Sequence, residues 1–289
     1  YKDINKIFFL PFIQSTIPNQ NEYYDFETVY GYSGPITNTK SKIFIEDSFR
    51  YLISELKKNK IIAGLIRFNP FLNNHEMIPR SKNIIIKKEK KIVYLDLKKN
   101  KYKISKNGKR NLNKSQKYNI EFSTNINNEN IKKFYNLYSS LMLNKKADEY
   151  YNFNEEYFKK LFKNNYINLI LAEDNNKVIG GIIYSVKYHY LNILLSAVNN
   201  EGLKKGVAYL LRNKIIIKNS DKLINFGGGL TSSENDSLLK YKMNFSDKTK
   251  NYYIGKLISN HKIYNSIVSE WENKNFNSKY FNYHLKYRY

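Results

Sequence analysis

Three strand-like runs follow one another directly in the second half of this chain: Ile167–Ala172, Val178–Lys187 and Tyr190–Val198. Asp174-Asn175-Asn176 supplies the first turn, so the runs read as an antiparallel meander. Gly206–Lys218 then predicts a helix with Val207, Leu210 and Leu211 inward. Leu223–Phe226 predicts another strand, which runs into Gly227-Gly228-Gly229. Two helices precede the meander. One is Ile131–Tyr150, apolar at 131, 134, 135, 138, 141 and 142. The other opens at Asn154, where Glu155-Glu156 suits the positive end of the helix dipole. Ser233-Glu-Asn-Asp236 predicts a capping box for a helix over Glu234–Met243, and a strand (Asn251–Ile258) and a helix (His261–Trp271) follow. This order excludes a β-sandwich, and it excludes a Rossmann unit, which alternates from its start.

The first hundred residues are mostly strand-like, with runs at Lys6–Ile13, Lys60–Phe68, Asn83–Lys87 and Lys91–Leu97 around one helix, Ile45–Lys58. Lys101–Tyr118 predicts a basic helix weakened by Gly108. The whole reads as an α/β (α+β) chain of two lobes, 1–120 and 121–289, the second in an acyltransferase-like order. Because the chain begins with Tyr1, the first lobe is expected to lack its opening elements.

Among 289 residues there is no cysteine, which excludes disulfides, thiolate metal sites and a cysteine nucleophile. No apolar run approaches eighteen residues. Four scattered histidines give no metal-ligand spacing, so no metal is expected. Walker A, G-x-G-x-x-G and G-x-S-x-G patterns are absent. The formal charge is +24, yet only six of the 49 basic residues are Arg, and Lys, Asn, Ile and Tyr abound as an AT-rich coding genome would make them. Location says more than total charge. Lys98–Lys117 holds nine basic residues and no acid, a density that attracts phosphate as tRNA, nucleotide-sugar, coenzyme A or anionic lipid.

Three segments could carry chemistry. Asn200–Ala208 joins a strand to a helix, and a helix N-terminus offers free N–H groups to a pyrophosphate, with Lys204, Lys205, Gly206 and Val207 as its cofactor-binding candidates. An ordinary loop with solvated lysines explains the same pattern. Phe226–Phe245 brings three glycines to a strand end, where a ligand can approach Gly228 and Gly229. Asp236 is a candidate general base, though helix capping accounts for it as well. Lys240 and Lys242 are candidate anion clamps, with Lys242 better placed between Tyr241 and Phe245. Tyr30-Gly-Tyr-Ser-Gly-Pro-Ile36 is a sharply turned loop whose Tyr30 and Tyr32 could stack on a sugar or base, or fill a core.

Four segments in register resemble the FemAB-like branch of the GNAT-fold acyltransferases, which includes peptidoglycan bridge-forming enzymes. Asp25–Ile36 is similar to the family's D-x-x-T-P-Y-G-Y-G-G-P. Lys109–Lys117 is similar to its basic R-x-x-I-x-K-A-x-K helix. Phe134–Tyr138, Tyr150–Phe153 and Tyr157-Phe158 are similar to its aromatic pattern, and Phe226–Phe245 to L-G-G-G…D-S-L-F-x-F-K-x-x-F. Val29 and Ser33 depart mildly from it. The coenzyme A signature of ordinary GNAT enzymes is only partly present at 200–208, and no heptad hairpin like the bridge ligases' coiled-coil arm is found.

The resemblance implies two GNAT-like lobes and an amide-forming enzyme. It transfers an acyl or aminoacyl group, from acyl-CoA or aminoacyl-tRNA, to an amine of a cell-envelope precursor. The acceptor would be a nucleotide- or lipid-linked amino-sugar of a surface polysaccharide, or a peptidoglycan peptide. A cytoplasmic chain at the inner face of the membrane, in peripheral contact with it, is the implied setting. The implied mechanism is direct attack of the amine on the donor carbonyl, with the oxyanion held by N–H groups of a splayed strand. The amine's proton would pass to Asp236, Glu234 or an ordered water, and Lys242, which matches the family's F-K element, would contact donor or acceptor phosphate. Arg110 and Lys114 would bind anions, and Tyr30 and Tyr32 would line an acceptor groove between the lobes. An aminoacyl-tRNA-dependent peptidoglycan bridge ligase is one alternative, which the missing coiled-coil arm weakens, and a non-catalytic nucleic-acid-binding protein using residues 98–117 is the alternative from another class.

Overall fold

The computed structural model describes residues 1–3 and 5–289. In chain order the elements are β1 (Lys2–Asp3), β2 (Lys6–Phe9), β3 (Ile13–Ile17), β4 (Gln20–Glu27), β5 (Ile36–Thr37), α1 (Lys42–Lys58), β6 (Ile61–Arg67) and β7 (Ile84–Asp96). Then come α2 (Lys106–Ser115), β8 (Glu121–Ser123), α3 (Asn128–Asn144), α4 (Glu155–Leu161), β9 (Ile167–Asp174), β10 (Lys177–Lys187) and β11 (Tyr190–Val198). The last are α5 (Asn200–Lys204), α6 (Val207–Lys218), β12 (Leu223–Gly228), α7 (Ser237–Lys242), β13 (Thr249–Ile258) and α8 (His261–Lys274).

These elements form two compact units, one from residues 1–90 and 251–289, the other from 91–250. The sequence places a single boundary at residue 120, whereas the chain divides at 90 and 250, inside β7 and β13. The reason is tertiary. Residues 91–120 pack in the second unit, where Val93 and Leu95 join its core, and the C-terminal residues pack in the first, where Leu285 and Tyr287 join Ile17 and Ile62.

In the first unit β3 pairs antiparallel with β4, β4 parallel with β6, and β6 antiparallel with β13. The parallel pair needs a crossover, which α1 provides. Ser41 caps α1 by accepting from the Phe44 N–H, and the helix buries Phe44, Ile45, Phe49, Ile53 and Leu56 at helical spacing. β6 is buried on both faces: Ile66 packs with Phe26, Phe49 and Leu56, while Ile62 packs with Ile17, Ile267 and Trp271. Pro11 breaks the single strand expected over Lys6–Ile13 into β2 and β3. A small sheet of β1, β2 and β5 stands beside this one.

In the second unit β7 pairs antiparallel with β12, β12 parallel with β11, and β11, β10, β9 and β8 antiparallel in turn. Alternation along β9 feeds two cores. Leu169 and Leu171 meet Phe134, Tyr138 and Phe158 of α3 and α4, whereas Ile170 and Ala172 lie on the side of Val207, Leu211 and Ile215 of α6. The predicted meander, helices and crossover are all present. Two details differ. A short helix, α5, precedes α6, and α7 starts three residues later than the capping-box reading, with Asp236 and not Ser233 as its cap.

Candidate functional site

β11 and β12 are hydrogen-bonded neighbours over three residue pairs only, ending at Asn192 and Asn225. Beyond that point β11 stays with β10 up to Val198, and β12 stays with β7 up to Gly228. The two strands therefore fork, and each presents a backbone edge that its former neighbour no longer covers. Such an edge is an obligatory hydrogen-bonding surface waiting for a partner. The fork is held by Asn225, whose side chain donates to Asn192 Oδ1 (3.0 Å) and accepts the Gly227 N–H (2.9 Å). Gly227 has φ +74°, a conformation that favours glycine, and the register shifts there, so a glycine at 227 is what turns the strand end.

Lys242 comes to this strand end. It is 9% exposed, and its ammonium donates to the Gly228 carbonyl at 2.6 Å. Asp236, by contrast, is committed elsewhere. Its Oδ1 accepts the Leu239 N–H (2.9 Å), and its Oδ2 accepts the Thr231 N–H (2.9 Å) and hydroxyl (3.1 Å). Burial works to raise its pKa, but these hydrogen bonds outweigh it and hold the carboxyl below the usual carboxylate range. That makes Asp236 a poor proton acceptor and a good cap. Gly229 lies against it: a Cβ there would meet the Asp236 carboxyl group. Lys240 is exposed on α7.

The N-terminus of α6 is closed. Gly206 (φ +75°) carries no side-chain cap, and a Cβ on it would strike the Asn111 carbonyl of α2. Val207 is fully buried in the core. Lys205 donates to Asp174 and to Glu201 (2.7 Å), and these bonds push its ammonium up to about 12. Its charge is thus spent on two carboxylates, not offered to a pyrophosphate. Lys204 is exposed. On α2 itself, Arg110 donates to Asn107 (3.0 Å) and Lys114 stands exposed.

Arg212 of α6 carries no sequence signal of its own, yet it is 4% exposed and lies beside the fork. It donates to the Tyr241 hydroxyl (2.7 Å) and to Ser196 on the diverging part of β11 (3.1 Å), and its Nε has no partner among the described residues. Burial pushes the Tyr241 hydroxyl up to about 12 despite Arg212, so Tyr241 stays neutral and donates to the Ala208 carbonyl (2.8 Å). A buried guanidinium without a carboxylate is costly, which makes this a place to look for an anionic ligand. The usable clue was rarity: in a chain that writes nearly every cation as Lys, each Arg is worth tracing.

In the first unit, Tyr30 is 62% exposed, and Tyr32 meets Tyr252 edge to face at 5.2 Å. Their loop is anchored by Asn74, which no sequence motif marks. Buried Asn74 donates to the Ser33 (2.8 Å) and Pro35 (3.0 Å) carbonyls and accepts the Asn69 N–H (2.8 Å). Gly34 (φ +87°) has no space for a side chain against Asn74. No cluster of metal-ligating side chains occurs among the described residues.

No family model matches this chain, and no curated protein matches it. Solved structures do. The crystal structure of FemX matches with a TM-score of 0.63 at 11% identity, over 89% of this chain and 86% of that one. A C-terminal domain ascribed to a lysylphosphatidylglycerol synthetase from Agrobacterium fabrum matches at 0.59 and 10% identity, over 94% and 88%. L-PGS from Bacillus licheniformis matches at 0.56 and 11% identity, over 86% and 85%. The chain therefore has the fold that FemX, L-PGS and the Agrobacterium fabrum domain share.

Proposed function

We propose that this chain, with the fold of FemX, is an amide-forming transferase that moves an acyl or aminoacyl group onto an amine of a cell-envelope precursor. The observation that carries this reading is the fork of β11 and β12 with Lys242 fixed at its end. In the reaction the acceptor nitrogen attacks the carbonyl of an activated ester. A C–N bond forms, the C–O or C–S bond to the donor breaks, and the nitrogen loses a proton. Charge gathers on the carbonyl oxygen, and strand-edge N–H groups and a held ammonium are suited to it because they need no rearrangement when it appears. Hydrogen bonding makes Asp236 a poor base, and Glu234 is exposed and accepts from Lys91 at 2.5 Å, so the proton is assigned to water or to the leaving group.

Of the two donor classes, the geometry favours aminoacyl-tRNA. At the α6 N-terminus, where a coenzyme A pyrophosphate would be expected, the Asn111 carbonyl of α2 packs close to Gly206, and Lys205 is paired with Asp174 and Glu201. The basic stretch 98–117 suits a polynucleotide. The acceptor is proposed as a nucleotide- or lipid-linked precursor. No helix among the described residues is long and apolar enough to cross a membrane, so any membrane contact would be peripheral to these elements.

The test offers acetyl-CoA and charged tRNA separately with envelope precursors and follows product by mass spectrometry. Lys242→Ala is expected to lower turnover on the order of 100-fold or more with a melting temperature within a few degrees of the parent, and Lys242→Arg to recover part of the loss. A fully active Lys242→Ala rejects the assigned role, and consumption of acetyl-CoA in place of charged tRNA rejects the donor.

A further inference from the structure

The first unit holds a cavity of about 330 Å³ that the transfer reading does not use. Ligand pockets begin at about this size. Its floor comes from β7, β13 and α8, through Ile84, Ile258, Tyr264 and Val268, and its rim from Tyr283 and the exposed Lys82. Two features make it more than a surface dent.

The first feature is its charge. Lys82, Lys256 and Lys286 line it, and no carboxylate does. Lys286 is balanced by Glu272 at 2.6 Å and lies 4.5 Å from the Phe281 ring centroid. Lys256 has no hydrogen bond or ion pair among the described residues. Burial and the neighbouring Lys87 and Lys286 depress its pKa, against a weaker pull from Glu89. A half-buried ammonium among like charges is a group that an anion would relieve.

The second feature is that the walls are set and largely apolar. The Asn83 side chain donates to the Ile258 carbonyl (2.8 Å), and the Ile258 N–H to the Asn83 carbonyl (2.7 Å), tying the start of β7 to the end of β13. Tyr264 donates to the His284 carbonyl (2.7 Å), closing the tail over α8. Aliphatic and aromatic surface thus surrounds a few convergent cations, the composition of a site for a small amphipathic anion.

We propose that this cavity binds an organic phosphate, its phosphate at Lys256 and its carbon skeleton against Ile84, Val268 and Phe281. The two-part chemistry is what lysines set among apolar walls discriminate: inorganic phosphate meets only the first part and a neutral aromatic only the second.

Titration calorimetry on the full chain tests this with phenyl phosphate, inorganic phosphate and phenol. Phenyl phosphate is expected to saturate one site, at least ~10-fold more tightly than either fragment. Lys256→Met should weaken it by ~10-fold or more without lowering the melting temperature, and Lys82→Ala at the exposed rim by a smaller factor. Should Lys256→Met fail to fold, amide shifts in the parent protein decide: the proposal requires phenyl phosphate to perturb Lys256, Tyr283 and His284. Equal affinity for phenyl and inorganic phosphate overturns it, as do an unchanged Lys256→Met or perturbations confined to other residues. None of these readouts needs turnover, so failure here leaves the transferase reading standing, and the reverse holds too.

Discussion

At the scale of single residues, burial decides which ionisable groups are ready for chemistry and which are structural. His284 is a structural case. It is buried, its Nε2 lies 3.0 Å from the Leu257 carbonyl, and its Nδ1 lies 3.2 Å from the Tyr264 hydroxyl. Burial lowers its pKa from the ordinary 6.5 to about 4. The sign follows from proton counting. Between those values the unfolded chain holds a proton that the folded chain refuses, so folding stability falls as pH drops from above 6.5 toward 4 and levels off below. The contribution amounts to roughly 3 kcal/mol. Urea midpoints of the parent and of His284→Gln, measured across this window, should converge as the solution is acidified; parallel curves would assign the His284 ring no such role. Lys242 is the opposite case, since its buried ammonium donates to the Gly228 carbonyl at the mouth of a fork.

At the scale of elements, periodicity and capping were readable wherever one face is apolar. The helices at 131 and 154, the meander and the crossover helix all stand where their patterns place them. The pattern over β7 suggests two strands because Lys87–Lys91 is charged; a strand needs a paired backbone and not apolar side chains, so the charge run hides its continuity. The fork at Asn192 and Asn225 was legible only through the family resemblance, because register leaves no local trace in sequence. The Arg212 network left only the rarity of Arg as a trace, since it joins residues from three elements. Asp236 shows the limit of a motif: the acid is in place, but it ends a helix. Asp236→Ala should destabilise by about 1 kcal/mol. Asp236→Asn, which still caps Leu239, should cost less and keep turnover within several-fold of the parent. If the Asn variant folds normally and is inactive, the carboxylate does more than cap.

At the scale of the whole molecule, the first unit is assembled from both ends of the chain, and its closure depends on charge as well as on apolar contact. Asp25 of β4 is fully buried, and burial raises its pKa although Arg288 opposes this. The Arg288 guanidinium donates through Nε to Asp25 Oδ2 at 2.8 Å and through Nη2 to Oδ1, while the Trp271 ring donates to the Tyr289 carbonyl at 2.8 Å. The last residues are thereby pinned to a strand more than two hundred and fifty positions away in sequence. Removing one partner strands the other. Arg288→Met leaves a carboxylate in a site closed to water, and a loss of about 3–5 kcal/mol is expected. Adding Asp25→Asn removes the orphaned charge, so the double variant should be more stable than Arg288→Met alone, a non-additivity that only a direct contact produces. Hydrogen exchange locates the effect: amides of β4 and β6 should exchange faster in Arg288→Met, while those of β9 and β10 keep their protection. Uniform acceleration through both units would show instead that the pair guards a single folding unit, and equal losses in the single and double variants would show that Arg288 acts without Asp25.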